Sequence, residues 1–343
     1  MKSTIKIKDL FVAAIVLVLI ISTANAKTSD PNLKATDYRL VVADINNTMR
    51  AYHYNPAELK SADYQKIEAQ IVALANNVES DQDFIDGFRA IWKQGPFSHV
   101  ELNFADTTAE ELAEYLDNLR VGGESVNLSW RNKTAVLTVN TMMGLDTIEH
   151  IDKAYKEITK NNAERLIIDL RNNGGGAFAI RPLVGHLINN PIDAGSFVSQ
   201  KWNADHQRPP TNTELSKVSP WQGWSIRTFW NDVQEQQFVK INFKPINPIF
   251  NGPVYVLTSK HTASAAELAV DALQSAGRAA VIGEITAGKM LSQKIYDVTG
   301  GFHLSLPIAD YYSSKNGRIE GVGITPDILV NPDDALNIAL AQK

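Results

Sequence analysis

The chain has 343 residues, a formal net charge of −5, seven His and no Cys. The lack of Cys excludes disulfides, thiol catalysis and Cys-ligated metal, and the mild acidity argues against a basic face for nucleic acid. The His residues form no His-Glu-x-x-His pattern, so a zinc peptidase is disfavoured and neither a metal nor another cofactor is expected.

The first 26 residues have a basic start (Lys2, Lys6, Lys8), an apolar run from Leu10 to Ile21, and Ala24-Asn-Ala26 as a small-residue cleavage site. This pattern predicts a secretory signal, hence a secreted or periplasmic product. The apolar run is too short to favour a permanent membrane span, so no stable insertion is expected after cleavage. With no Cys after it, the run offers no site for lipoprotein attachment.

Residues 27–105 read as a helical domain. Apolar positions recur at three- and four-residue steps through Tyr38–Met49 and Ile67–Leu74, and Phe84, Phe88, Ile91 and Trp92 continue the stripe. Pro56 and Asp81 mark breaks or caps. The domain closes on Gly95-Pro-Phe-Ser-His-Val-Glu101, where His99 precedes an apolar stretch and reads either as a structural residue or as a base.

Residues 106–343 alternate helix and strand. Glu110–Leu116 is helical, Val126–Trp130 and Ala135–Val139 read as paired strands around Asn132, and Thr147–Ile158 is helical again. Leu166-Ile-Ile-Asp-Leu170 is a buried strand, and Asn172-Asn-Gly-Gly-Gly176 turns it toward a helix beginning near Ala177. Glycines there allow close backbone approach and leave N–H groups free. The missing Gly-Lys-Ser/Thr and dinucleotide patterns argue against a phosphate loop. Residues 201–235, with Pro209-Pro210 and Trp221, Trp224 and Trp230, read either as a lid or substrate-binding surface, or as a structural excursion anchored by its aromatics.

The strand Val254–Leu257 runs through Ser259-Lys-His-Thr262 into a helix that opens at Ser264. Ser264-Ala-Ala-Glu267 fits a capping box, which makes Ser264 an N-cap. The same position also suits a nucleophile, because a hydroxyl at a strand-to-helix turn sits at the positive end of the helix dipole beside open N–H groups. A further strand, Ala279–Gly283, leads to Thr286-Ala-Gly-Lys289, and a hairpin around Gly300-Gly301 pairs Ile295–Val298 with Phe302–Leu306.

These segments together resemble the tail-specific (C-terminal processing) serine peptidases. The resemblance rests on four motifs in order: Leu166–Gly176, Ser264-Ala-Ala-Glu267, Thr286-Ala-Gly-Lys289 followed by Gln293, and Gly317-Arg-Ile-Glu-Gly-Val-Gly-Ile-Thr-Pro-Asp327. It implies an α/β catalytic domain of crotonase/ClpP-like fold acting on peptide or unfolded protein. Ser264 would be the nucleophile, Lys289 the general base, Gln293 its orienting partner, and the N–H groups of Gly175 and Ala265 the oxyanion hole.

Lys289 would have to be neutral to act, and Ile285, Ala287, Met290 and Leu291 are expected to form the apolar pocket that favours this. Tricorn-type core peptidases look like distant relatives of the same superfamily. By that likeness His99 is the alternative base, with Glu320 assisting. Too few residues separate Thr107 from Val126 for the PDZ module common in tail-specific peptidases. A catalytically silent peptide-binding protein of the same fold is the alternative function.

Overall fold

The computed structural model describes residues 36–206 and 208–342; the proposed signal segment lies outside them. The described residues open with three amphipathic helices, α1 (Tyr38–Tyr52), α2 (Ala62–Ala75) and α3 (Asp81–Trp92). Ser61 and Ser80 cap α2 and α3 by accepting the N–H groups of Tyr64 and Asp83, so the cap of α3 is Ser80, one residue before the expected Asp81. The helices bury Val41, Ile45, Met49, Ile67, Ile71, Phe84 and Phe88.

The chain continues through β1 (Glu101–Phe104), α4 (Ala109–Asp117), β2 (Val126–Arg131), β3 (Thr134–Val139), α5 (Leu145–Lys160), β4 (Arg165–Asp169), α6 (Ile180–Gly185) and β5 (Ile192–Ser199). Then come α7 (Gln200–Asn203), α8 (Asn212–Ser216), α9 (Ile226–Glu235), β6 (Phe238–Phe243), β7 (Val254–Thr258), α10 (Ala265–Ser275) and β8 (Ala280–Gly283). The last elements are β9 (Leu291–Val298), β10 (Phe302–Ser313), β11 (Gly317–Arg318), β12 (Ile328–Leu329) and α11 (Pro332–Ala341).

Two sheets organise these elements. One runs β12-β8-β7-β4-β3-β2, with β2 antiparallel to β3 and every other pair parallel. Its inner strands are continuous apolar runs because both faces are covered: Leu166, Ile168, Val254 and Val256 face the main core, while Ile167, Tyr255 and Leu257 pack under α11. The other sheet is antiparallel and built on the long β10, which pairs with β9 on one edge and with β1 and then β5 on the other. Among the described residues no helix is long and apolar enough to cross a membrane.

The apolar faces of α1, α2 and α3 share a single cluster with Leu102, Leu291, Val298, Phe302, Leu304 and Leu306. Burying each of the larger side chains contributes roughly 1.5–3 kcal/mol, so the helices draw their stability from the antiparallel sheet. The expected boundary at 105 thus marks a change of secondary structure within a shared core. Helix α6 starts at Ile180, three residues later than expected, because Gly175 and Gly176 hold positive φ and the N–H groups of Ala177 and Ala179 turn aside to Met142 O. In the 201–235 segment Trp221 and Trp230 are buried in the main core and Trp224 packs against it half-buried, so its aromatics anchor it. Strands β5 and β6, on either side of it, were not anticipated.

Candidate active site

The turn between β7 and α10 is tied to the end of β4 by side chains. Ser259 Oγ donates to Arg171 O at 2.5 Å, Thr262 Oγ1 to Leu170 O at 2.8 Å, and the Ala263 N–H to Asn173 O at 3.1 Å. Ser264 follows with φ 54° and ψ −123°. The capping serines of this chain are extended, as at Ser61 (φ −67°, ψ 150°) and Ser80 (φ −134°, ψ 153°). An N-cap has no need of positive φ; a non-Gly residue held there costs about 1–3 kcal/mol and persists only where its surroundings over-determine it. Ser264 therefore departs from the plain capping geometry and adopts a strained strand-to-helix elbow, with a half-exposed side chain.

Glu267 is the main determinant of that elbow. It is fully buried, and its carboxylate accepts four hydrogen bonds: Ser264 N–H (3.0 Å), Thr286 Oγ1–H (2.6 Å), Gly288 N–H (2.8 Å) and Lys289 N–H (2.9 Å). Burial pushes its carboxyl up, and these donors pull it back toward the ionised form. The Ser264 N–H also reaches Lys289 O at 3.1 Å. Ser264 and Lys289, 25 residues apart in sequence, are thus neighbours through their backbones.

On the other side of Ser264 lies the glycine loop. A Cβ added to Gly175 (φ 99°) would fall 2.7 Å from Ser264 Cβ and 3.1 Å from Ala265 N, so only glycine fits this approach. Of the two N–H groups expected to form the oxyanion hole, that of Gly175 donates to Asn173 Oδ1 at 2.9 Å. Asn173 is buried, and its Nδ2 donates to Val139 O at 2.9 Å, which fixes the side chain that occupies this donor. Ala265 opens α10, where an N–H has no partner within the helix.

Lys289 is half-buried at the entry to β9. Of its expected apolar neighbours, Met290 and Leu291 are buried, whereas Ile285 is 44% exposed and points to solvent, which removes it from the pocket. Gln293, on β9, has a buried Oε1 with no partner among the described residues, and its backbone carbonyl accepts from Trp230 Nε1 at 2.8 Å. A buried acceptor four residues past the lysine is suited to hold an amine.

His99 and Glu320 gather at the same place. The charges of Glu320 and Lys289 both act on the His99 ring, and burial pushes its pKa down to about 4. Ser98 Oγ lies 2.5 Å from His99 Nδ1. Glu320 is buried, and its carboxylate accepts the N–H groups of Met290 (2.5 Å) and Leu291 (3.1 Å), directly after Lys289. The structure therefore groups Ser264, Lys289, Gly175 and Ala265 through backbone contacts, and ties Glu320 to the residues directly after Lys289.

Three neighbours of these groups were missed. Glu267 was visible only as the fourth residue of a capping box, Asn173 only as part of an Asn-Asn-Gly turn, and Glu101 only as the end of the segment holding His99. Burial pushes the Glu101 carboxyl up to about 7, while Arg89 and Lys289 pull it down.

The sequence profile of peptidase family S41 matches residues 133–330, more than half of the chain. The chain belongs to this family. A curated relative, the carboxyl-terminal-processing protease of Picosynechococcus sp., is 27% identical over 190 residues, covering 55% of this chain and 37% of that protein. The chain spans about a third of the length of the curated relatives it matches. Among solved structures, a lipoprotein from Streptococcus agalactiae has a TM-score of 0.56 at 17% identity, covering 90% of this chain and 96% of that one. The photosystem II D1 C-terminal processing protease has a TM-score of 0.51 at 15% identity, covering 87% and 94%. These two likenesses establish the family fold. Ser264, Lys289, Gln293, Glu320, Gly175 and Ala265 lie inside the matched region, and His99 and Glu101 lie outside it.

Proposed function

We propose that this family member is an exported serine peptidase that hydrolyses peptide or unfolded-protein substrates through an acyl-enzyme on Ser264. The observation that carries the reading is the strained Ser264 elbow, bonded through Glu267 to the backbone of Lys289. Lys289, as the free amine, takes the Ser264 Oγ proton while Oγ attacks the substrate carbonyl. The Ala265 N–H and the positive end of α10 stabilise the oxyanion, and the lysine ammonium returns its proton to the leaving amine. Water then repeats the sequence to release the acid. Gln293 Oε1 orients the amine.

His99 is the weaker candidate for the base. Its pKa of about 4 leaves the ring neutral near pH 7 but makes it a poor proton acceptor there, since a general base works best with a pKa near the operating pH. Export is inferred from the basic-apolar-small pattern of residues 1–26. Ser264→Ala, purified and folded, is expected to lose peptide hydrolysis by about 10⁴-fold or more. Turnover equal to wild type would refute the nucleophile assignment. A wild type that binds peptides without cleaving them would instead indicate a silent binding protein.

A further inference from the structure

Among the described residues β9, the strand that carries Gln293, pairs with β10 alone. Its ladder has a gap. Gln293 stands opposite Pro307, and the register shifts between Pro307 and Ala309. A proline has no N–H to give a neighbouring strand, and the Pro307 carbonyl already accepts the Tyr54 N–H at 3.0 Å. The register partner of Gln293 therefore offers it no donor.

Helix α9 fills that gap. Trp230 Nε1 donates to Gln293 O at 2.8 Å from a buried ring. One helical turn on, Gln234 meets the same strand, its Nε2 donating to Tyr296 Oη at 2.8 Å and its Oε1 accepting from Lys294 Nζ at 2.6 Å. These two contacts reach side chains of β9, whereas the Trp230 contact holds its backbone. The helix is itself well anchored: the Ile226 N–H donates to Asp117 Oδ1 at 2.5 Å, Asp232 Oδ2 accepts from Trp221 Nε1 at 2.7 Å, and Phe229 and Val233 are buried in the main core. Gln293 needs such a support. Its Oε1 is buried with no partner among the described residues, so the place of that oxygen follows from the backbone that carries it.

We propose that Trp230 is a positioning residue: by holding the Gln293 carbonyl where the β9–β10 ladder lacks a donor, it fixes the backbone from which the Gln293 side chain serves the reaction. This gives the 201–235 excursion a part in the chemistry that needs no contact with substrate.

The inference rests on Gln293 assisting the reaction at Ser264, and its test in the full chain has one readout by turnover and one without it. Trp230→Phe keeps an aromatic ring in the core and removes the N–H; Trp230→Leu is a second route to the same loss. In each, kcat for a peptide substrate is expected to fall about tenfold with KM within about twofold of wild type, since misplacing a group that assists the chemical step leaves ground-state binding alone. In a Gln293→Ala background Trp230→Phe should cost no further kcat, because a residue that acts through another then has nothing left to position. Gln234→Met, which removes the neighbouring bonds of the same helix to the same strand, should keep the wild-type kcat. The readout without turnover is the Gln293 side-chain amide signal in the NMR spectrum of isotope-labelled protein, assigned by its loss in Gln293→Ala, which should shift or broaden in folded Trp230→Phe. A wild-type kcat or an unmoved amide signal in folded Trp230→Phe, losses that multiply in the double variant, or an equal loss in Gln234→Met overturns the proposal. If Ser264→Ala keeps wild-type turnover the peptidase reading falls, and the amide signal still decides whether Trp230 positions Gln293.

Discussion

The two sides of the site are built differently. Around Ser264 the buried polar atoms of Ser259, Thr262, Asn173 and Glu267 are all hydrogen-bonded, and they link β4, β7, α10 and the Lys289 loop. On the antiparallel sheet and the helices behind it, Gln293 Oε1, Asp310 Oδ1, His53 Nε2 and Trp92 Nε1 are buried without a partner among the described residues. Unpaired buried polar atoms are costly, so each marks a place where the packing is less completely satisfied. The Ser264 elbow is thus held by backbone strain in a saturated network, whereas the antiparallel sheet and its helices bury polar atoms with no partner among the described residues.

The sharpest way to break this comparison is to remove each candidate base. Lys289→Ala should lower kcat/KM by about 10²–10⁴-fold, and His99→Ala by less than about tenfold, in steady-state peptide assays. The reverse order would move the base to the N-terminal segment, with Glu320 as its partner. A smaller effect is expected from Glu267→Gln. An amide presents a donor where two of the four donors now find an acceptor, so Ser264 and the Lys289 loop should lose their fixed relation. Activity should fall by about 10–10²-fold, with a lower melting temperature. Wild-type values for both would mean that Glu267 does not hold the elbow.

The smallest effect concerns stability on the unsaturated side. His53 is fully buried, and burial pushes its pKa down to about 3. In the unfolded chain a histidine titrates near 6.5, so between these values the unfolded state binds more protons. The His53 contribution is therefore intact above about pH 6.5 and is lost as pH falls toward 3. His53→Phe, which suits the ring packing against Phe97, lacks this loss. Its melting temperature should gain a few degrees on wild type between pH 7 and 4, and a constant gap across that range would contradict the assignment.

Much of this architecture was legible in the chain, because α1, α2, α3 and α5 carry regular apolar stripes and β4 and β7 are continuous apolar runs. β5 was hidden by Gly195 and a register shift between Asp193 and Gly195, which interrupt its alternation. The turn that carries Ser264 from strand to helix was legible in the apolar run of β7 and the capping-box pattern after it. The work of Glu267 was not, because its partners Thr286, Gly288 and Lys289 are fixed by tertiary packing and leave no local pattern. The pairing of β1 with β10 depends on sheet register between distant segments, and the capture of the Gly175 N–H depends on the rotamer of Asn173.

The most direct test of the central claim, Ser264 activated by Lys289, is intact-mass spectrometry of the enzyme during hydrolysis of a slowly deacylating activated ester, with the adduct located by peptide sequencing. One acyl group on Ser264 is expected in wild type and in His99→Ala, with none in Ser264→Ala and little in Lys289→Ala. An adduct on another residue, or full acylation of Ser264 in Lys289→Ala but not in His99→Ala, would contradict it.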